Sequence, residues 1–318
     1  MKQNNWKKPN SFAETVELAE SFVRREIIRE TKDKQLCYHT IDHAVAVKRR
    51  AKTIFRAIRS TLSDSQPSTE LERLESLIGL CAMAHDMIQQ FSQSTELDTP
   101  RKRIPGISEA ATANKSVEYL KNLNQILSTD CPKSLLFQKR DLEIIKDGIL
   151  ATICDRDPQA GKAVYSFSEH SIYQPYLYDT YPKISIVGRI IALADLGTLG
   201  IDGVAPYLKE GILVFLEDNL DIRNAIANSD RSDLLIQPAI KARLLNMARF
   251  IVDLARERKA RFEVEIAGFS APARQILREN VFVHLNRANI QKIEAIVPTD
   301  DSVSLAELID FFRLDSSI

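Results

Sequence analysis

The chain contains one long apolar run that is interrupted by a histidine and an aspartate. The run is LIGLCAMAHDMI at residues 77–88, and its two adjacent polar residues are His85 and Asp86. An imidazole and a carboxylate are costly to bury unless a partner offsets their lost hydration. A divalent metal ion is the simplest such partner, because both groups are common metal ligands. The run therefore predicts a buried helix that carries two ligands of a metal site.

Two further segments supply candidate ligands. The string YHTIDHA at residues 38–44 contains His39 and His43, which are one helical turn apart and so project to one side of a helix start. The apolar run SIVGRIIALADL at residues 185–196 carries one acid, Asp195. A helical bundle can bring together side chains that are distant in sequence. The predicted metal-ligand set is His43, His85, Asp86 and Asp195.

Helical spacing of apolar residues dominates the chain, and the spacing predicts an all-α fold. Glycine is scarce, at 10 of 318 residues, and alternating runs are few, although residues 262–266 alternate as a strand does. We expect a helical domain over residues 1–200 and a C-terminal helical extension over residues 201–318, packed on the first. The predicted helices lie at about residues 11–32, 40–58, 70–90, 108–127, 141–154, 183–199, 237–261 and 272–285, with a last short helix opened by Ser304. Residues 93–106 and 155–182 are predicted to be loops.

Composition excludes several classes of function. Lys and Arg number 43 and Asp and Glu number 43, so the net charge of zero provides no overall attraction to nucleic acid or to a membrane. No apolar stretch is long enough to span a bilayer, and residues 1–8 lack the apolar core of a signal peptide. The four scattered cysteines form no Cys-x-x-Cys pair, which is typical of a reduced protein. We expect a cytoplasmic protein, and the sequence leaves self-association open.

The order His…His-Asp…Asp resembles that of the HD superfamily of metal-dependent phosphohydrolases over about residues 36–200. The string at residues 38–44 is similar to the first motif of cyclic-nucleotide phosphodiesterases. The strings EAATA at residues 109–113 and ADL at 194–196, followed by LG at 199–200, are similar to segments of the small predicted HD phosphohydrolases of bacteria. The resemblance implies an HD-type helical bundle with one or two divalent ions, which could be Mn, Fe, Mg, Ni or Zn. It also implies that His43 binds metal and that His39 protonates the leaving oxygen.

The chain departs from some HD enzymes in its number of histidines. Many of those enzymes carry further histidines after the HD pair, but this chain has none between Asp86 and His170. Asp155 stands near the position where the small bacterial group has a histidine. These departures argue against a histidine-rich di-iron site and its oxygenase chemistry. A second ion held by Asp86 and water molecules remains compatible with the sequence.

The sequence thus predicts hydrolysis of a nucleotide or another small phosphate ester by a metal-activated water, with His39 as the general acid. The alternative is a catalytically silent HD-fold protein that binds a nucleotide or metal and regulates a partner through residues 200–318. Candidate residues for contacts around the site or with the substrate are Glu109, Asp155, Arg101, Lys102 and Arg103.

Each candidate also has a simpler interpretation. His43 could be a hydrogen-bonded core histidine, His39 a helix cap, and Asp195 the partner of a buried arginine. Glu109 lies in the first turn of a predicted helix, where the helix dipole alone favours an acid. The cationic cluster at residues 101–103 could simply keep a loop soluble.

Overall fold

The computed structural model describes residues 8–63, 67–92, 100–158, 171–178, 184–228 and 238–314, without the side chains of 225–228. Its helices are α1 (Phe12–Lys34), α2 (Ile41–Ile58), α3 (Ser68–Ala84), α4 (Ile107–Leu127), α5 (Lys139–Leu150), α6 (Ile186–Asp195), α7 (Thr198–Asp202), α8 (Val204–Asp218), α9 (Leu220–Asn228), α10 (Pro238–Glu265), α11 (Ala271–Ile276), α12 (Arg287–Ile296) and α13 (Leu305–Phe311). A π-helical segment, Leu277–Val281, continues α11, and short 3₁₀ turns lie at Arg59–Thr61, Lys133–Leu135 and Pro175–Leu177. Strands β1 (Asp155–Arg156) and β2 (Ile172–Tyr173) form an antiparallel pair. The prediction of an all-α protein is confirmed.

Local side-chain chemistry determines where several helices begin. The Ser11 hydroxyl accepts a hydrogen bond from the Glu14 N–H at the start of α1, and Ser304 opens α13 with the expected capping box. Helix α4, predicted to begin at about residue 108, begins at Ile107 and is preceded by Gly106 in the left-handed region at φ 81°. The Ser108 hydroxyl accepts a hydrogen bond of 2.9 Å from the Gln90 N–H. This bond ties α4 to the segment that follows His85 and Asp86.

Helix α3 lies at the centre of the N-terminal bundle and contacts α1, α2, α5 and α6. Small residues allow its neighbours to approach closely. A methyl group on Gly148 of α5 would come within 3.2 Å of Cys81 Sγ on α3, and one on Gly188 of α6 within 3.3 Å of Ala151 Cβ. Burial raises the pKa of the Cys81 thiol, so this cysteine packs as a small apolar side chain. The close packing holds the C-terminal ends of α3 and α6 side by side.

Helix α10 takes part in both apolar clusters that the described residues form. Its residues Leu244, Ile251 and others pack with Leu199, α8, α12 and α13 in a second cluster. Farther along, Phe262 packs into the first cluster with the N-terminal bundle, together with Ile266 just after the helix. The strand considered for residues 262–266 is wrong, since Phe262 and Ile266 are one helical turn apart and bury the same face. The domain boundary near residue 200 stays a prediction. Among the described residues, no helix is long and apolar enough to cross a membrane.

Candidate metal centre

Four side chains from three helices converge at one point. One ligand atom from each lies within 4.8 Å of the corresponding atoms of the other three. The first turn of α2 supplies one histidine, the end of α3 supplies the adjacent histidine and aspartate, and the last residue of α6 supplies the second aspartate. The residues are His43, His85, Asp86 and Asp195. This is the set predicted from sequence, and it could hold a metal ion.

The distances between these atoms suit a shared cation better than direct hydrogen bonds. His85 Nε2 lies 2.9 Å from Asp86 Oδ2 and 3.4 Å from Asp195 Oδ1. His43 Nε2 lies 3.4 Å and 3.6 Å from the same two oxygens. Ligands about 2.1 Å from a tetrahedral ion are separated by roughly 3.4 Å. Both Nε2 atoms are buried and make no hydrogen bond of acceptable geometry. These orphaned nitrogens, aimed between two carboxylates, fit a divalent metal ion.

A backbone contact orients the His85 ring. His85 Nδ1 donates a hydrogen bond of 2.9 Å to the Ala82 carbonyl oxygen. In a neutral imidazole this bond places the hydrogen on Nδ1 and leaves the Nε2 lone pair facing the cluster. The turn of α3 that carries the ligand therefore also selects its tautomer.

The two carboxylates are held in the ionised form that metal binding requires. Burial raises the pKa of Asp195, but contact with His43 and His85 outweighs burial and lowers the pKa to about 2. Burial likewise opposes ionisation of Asp86, but the charges of His85 and His39 hold its pKa well below the ordinary value. At neutral pH both carboxylates are therefore ionised, and their contacts outweigh burial and raise the pKa of His43 and of His85. A divalent cation would compete with protons for these two rings.

His39 lies beside the cluster but is not part of it. Its Nε2 is 3.5 Å from Asp86 Oδ2, and its Nδ1 is 2.5 Å from Glu217 Oε1. Because a carboxylate ion only accepts, the His39 Nδ1–H donates to Glu217. The Nε2 atom then faces the cluster.

Glu217, near the end of α8, is the functional candidate that the sequence analysis missed. It is fully buried, and its Oε2 accepts hydrogen bonds from the N–H groups of Cys37, Tyr38 and His39 at 2.9, 2.8 and 3.0 Å. Burial raises the pKa of Glu217, but the charge and hydrogen bond of His39 and the charge of Arg103 lower it well below the ordinary value. An available signal was the acid at the end of the apolar run ILVFLE at residues 212–217.

A cavity of about 480 Å³ opens over this centre. Of the secondary candidates, Arg103 and Glu109 line it. Arg103 Nη2 lies 2.6 Å from Glu217 Oε1 and 2.8 Å from Asp218 Oδ1. Burial raises the pKa of Glu109. The polar side chains around the metal end of the cavity are His39, Asp86, Gln89, Arg103, Glu109 and Asp195.

The other three secondary candidates lie outside the cavity wall formed by the described residues. The Arg101 guanidinium lies over the Phe91 ring, 4.9 Å from its centroid. Lys102 is exposed. Asp155 is exposed on β1, where its Oδ1 accepts a hydrogen bond from the Arg156 N–H. His170 and residues 93–99 of the predicted loop lie outside the described residues.

No family model, curated protein or solved structure matches this chain. The site therefore has to be interpreted from its own geometry. That geometry is a buried His/Asp group able to bind a metal ion, which is compatible with a metal-dependent hydrolase.

Proposed function

We propose that the protein is a metal-dependent phosphohydrolase of the HD type, acting on a phosphate ester. The observation that carries the proposal is that two distinct groups of side chains lie next to each other. One is the ligand set of His43, His85, Asp86 and Asp195, and the other is the pair of His39 and Glu217. A hydrolase needs both a place to activate water and an independent proton donor.

The ion that these four residues would hold supplies a water of lowered pKa and polarises a phosphoryl oxygen. The protein's own groups do the remaining work. Glu217 holds the Nδ1–H of His39 and stabilises the positively charged ring. The Nε2 atom of His39 faces the cavity and donates a proton to the leaving oxygen of the ester. Arg103 lines the same end of the cavity, and the guanidinium N–H groups not used by its ion pairs with Glu217 and Asp218 can pair with phosphoryl oxygens.

Metal content and turnover test the proposal together. The purified protein is analysed for bound metals and assayed on a panel of phosphate monoesters and diesters. Asp86→Ala should lose the metal and all activity, because it removes one of two carboxylate ligands. Asp221→Asn is a matched control, since Asp221 is a carboxylate paired with Arg243 outside the cluster.

Two outcomes would contradict parts of the proposal. Equal metal content in Asp86→Ala and the wild type would refute the ligand assignment. Stoichiometric metal without turnover of any ester would favour the regulatory alternative drawn from the sequence.

A further inference from the structure

The cavity extends beyond the metal centre along two helices. Positions 207, 210, 211, 214 and 218 of α8 line it, a spacing that keeps to one helix face over about 16 Å. Positions 247, 250, 251, 254 and 258 of α10 line it with the same periodicity. The α8 face runs from Asp218, beside Arg103, to Tyr207, and Glu210 between them contacts Thr198, three residues after the ligand Asp195.

The two helices contact each other at the far end of this face. The Tyr207 hydroxyl donates a hydrogen bond of 2.6 Å to the Ile251 carbonyl oxygen. A methyl group on Gly211 would come within 2.9 Å of Ile251 Cγ1, so the glycine permits this close approach. Helices α8 and α10 therefore form one continuous wall of the cavity.

The polar side chains on this part of the wall already have partners inside the protein. The Tyr207 hydroxyl donates to the Ile251 carbonyl oxygen, and the Arg258 guanidinium donates to the Glu265 carboxylate. Glu210 accepts from Arg50 through Oε1 at 3.0 Å and from Thr198 through Oε2 at 2.6 Å. Because these side chains are already engaged, the described part of this wall offers little to pair with the polar groups of a nucleobase or sugar.

Many of the other described residues that line the cavity here are apolar. They include Ile104, Ile172, Val214, Met247, Phe250, Ile251 and Leu254. The volume of about 480 Å³ lies within the rough range of 300–1,000 Å³ found for pockets that hold drug-sized ligands. A phosphoryl group at the metal centre would leave the rest of this cavity for another part of the same substrate.

We infer that the substrate is an amphiphilic phosphate ester whose apolar alkyl chain lies in the cavity against the wall formed by α8 and α10. This inference rests on the proposed function, because the phosphoryl group is placed at the metal centre. Val214, Met247 and Leu254 then determine specificity by the length and width of the chain that they accept.

A homologous series of n-alkyl phosphates, from ethyl to decyl and below their micelle concentrations, tests the inference. Each buried methylene should raise kcat/KM about fourfold until the cavity is full. Calorimetric binding of the matching n-alkyl phosphonates to the metal-loaded protein should show the same gain per methylene. The phosphonates cannot be hydrolysed, so this second measurement is independent of turnover.

Two variants test where the alkyl chain of the ligand lies. Val214→Phe should shorten the chain length at which the gain stops, because the larger ring fills part of the cavity. Leu254→Ala should weaken binding of the long phosphonates about tenfold and leave ethyl phosphonate unchanged. Val264→Phe is the control, since Val264 is 49% exposed on α10 and lies outside the cavity wall. Thermal melting checks that each variant is folded.

The outcomes separate this inference from the proposed function. Phosphonate affinity that does not depend on chain length overturns the inference, even if short esters are hydrolysed well. Affinity that rises with chain length, without turnover of any ester, supports the apolar subsite and contradicts the hydrolase. If Val214→Phe does not change the alkyl chain length at which the gain stops, the alkyl chain lies elsewhere. This result also overturns the inference.

Discussion

Replacing Glu217 with glutamine should abolish most turnover and leave the metal in place. The carboxylate now serves five donors: three backbone N–H groups, of Cys37, Tyr38 and His39, reach Oε2, and His39 Nδ1 and Arg103 reach Oε1. A glutamine amide has one accepting oxygen and one donating nitrogen of the same size. One of the two groups of donors must therefore face an NH₂ group.

The size of the effect follows from which bond is lost. If the amide oxygen keeps the three backbone N–H groups, the NH₂ group opposes the His39 Nδ1–H, and the ring must turn or change tautomer. Loss of such an orienting partner typically costs about tenfold to a hundredfold in activity. Loss of the general acid itself sets the upper bound, at about 10²–10⁴-fold. The lost charge-assisted hydrogen bond should also lower the free energy of unfolding by about 1.5–3 kcal/mol.

The assay is a double-mutant cycle of Glu217→Gln and His39→Ala, measured by kcat/KM and by metal content. If Glu217 acts through His39, the double variant should be no slower than His39→Ala alone. Asp221→Asn again controls for the loss of a carboxylate that has an arginine partner. Additive losses in the cycle, or metal lost from Glu217→Gln, would refute the positioning role.

The N-terminal helices were predictable because their apolar faces repeat with the helical period. Helices α1 and α2 begin directly after Ser11 and Thr40, at the starts predicted for them, although Thr40 makes no side-chain capping bond. Residues 262–266 show the limit of this signal, since a short alternating run also suits a buried helix end. The sequence analysis assigned no helix to residues 204–228, where α8 and α9 lie.

The metal ligands were predictable because each is an isolated polar residue in or beside an apolar run. Glu217 is also an acid at the end of an apolar run, but it lies beyond the segment that resembles HD proteins. Its contact with His39 follows only from the tertiary packing of α8. The different positions of Arg103 and Lys102 could not be predicted either. Loop residues have no periodic pattern, and here the partners of Arg103, at residues 217 and 218, are over a hundred positions away.

Three further predictions concern the proton donor, the pH dependence of stability and the cationic loop. His39→Ala should keep the metal and lose more activity on alkyl esters than on nitrophenyl phosphate, because the better leaving group of nitrophenyl phosphate needs less protonation. Equal losses on the two kinds of ester would argue against His39 as the general acid. Because the pKa of Glu217 is lowered in the folded state, its ionisation stabilises the protein above the unfolded pKa of about 4.3. The difference in Tm between the wild type and Glu217→Gln should therefore shrink as the pH falls below about 4. A difference that stays constant would contradict the stabilising role of the ionised Glu217. Arg103→Ala should raise KM for phosphate esters much more than it lowers kcat and should reduce the salt dependence of KM, because Arg103 lines the metal end of the cavity. Lys102→Ala removes the same charge from an exposed neighbour and should leave both parameters unchanged, so equal effects of the two variants would mean that the loop acts only through its overall charge.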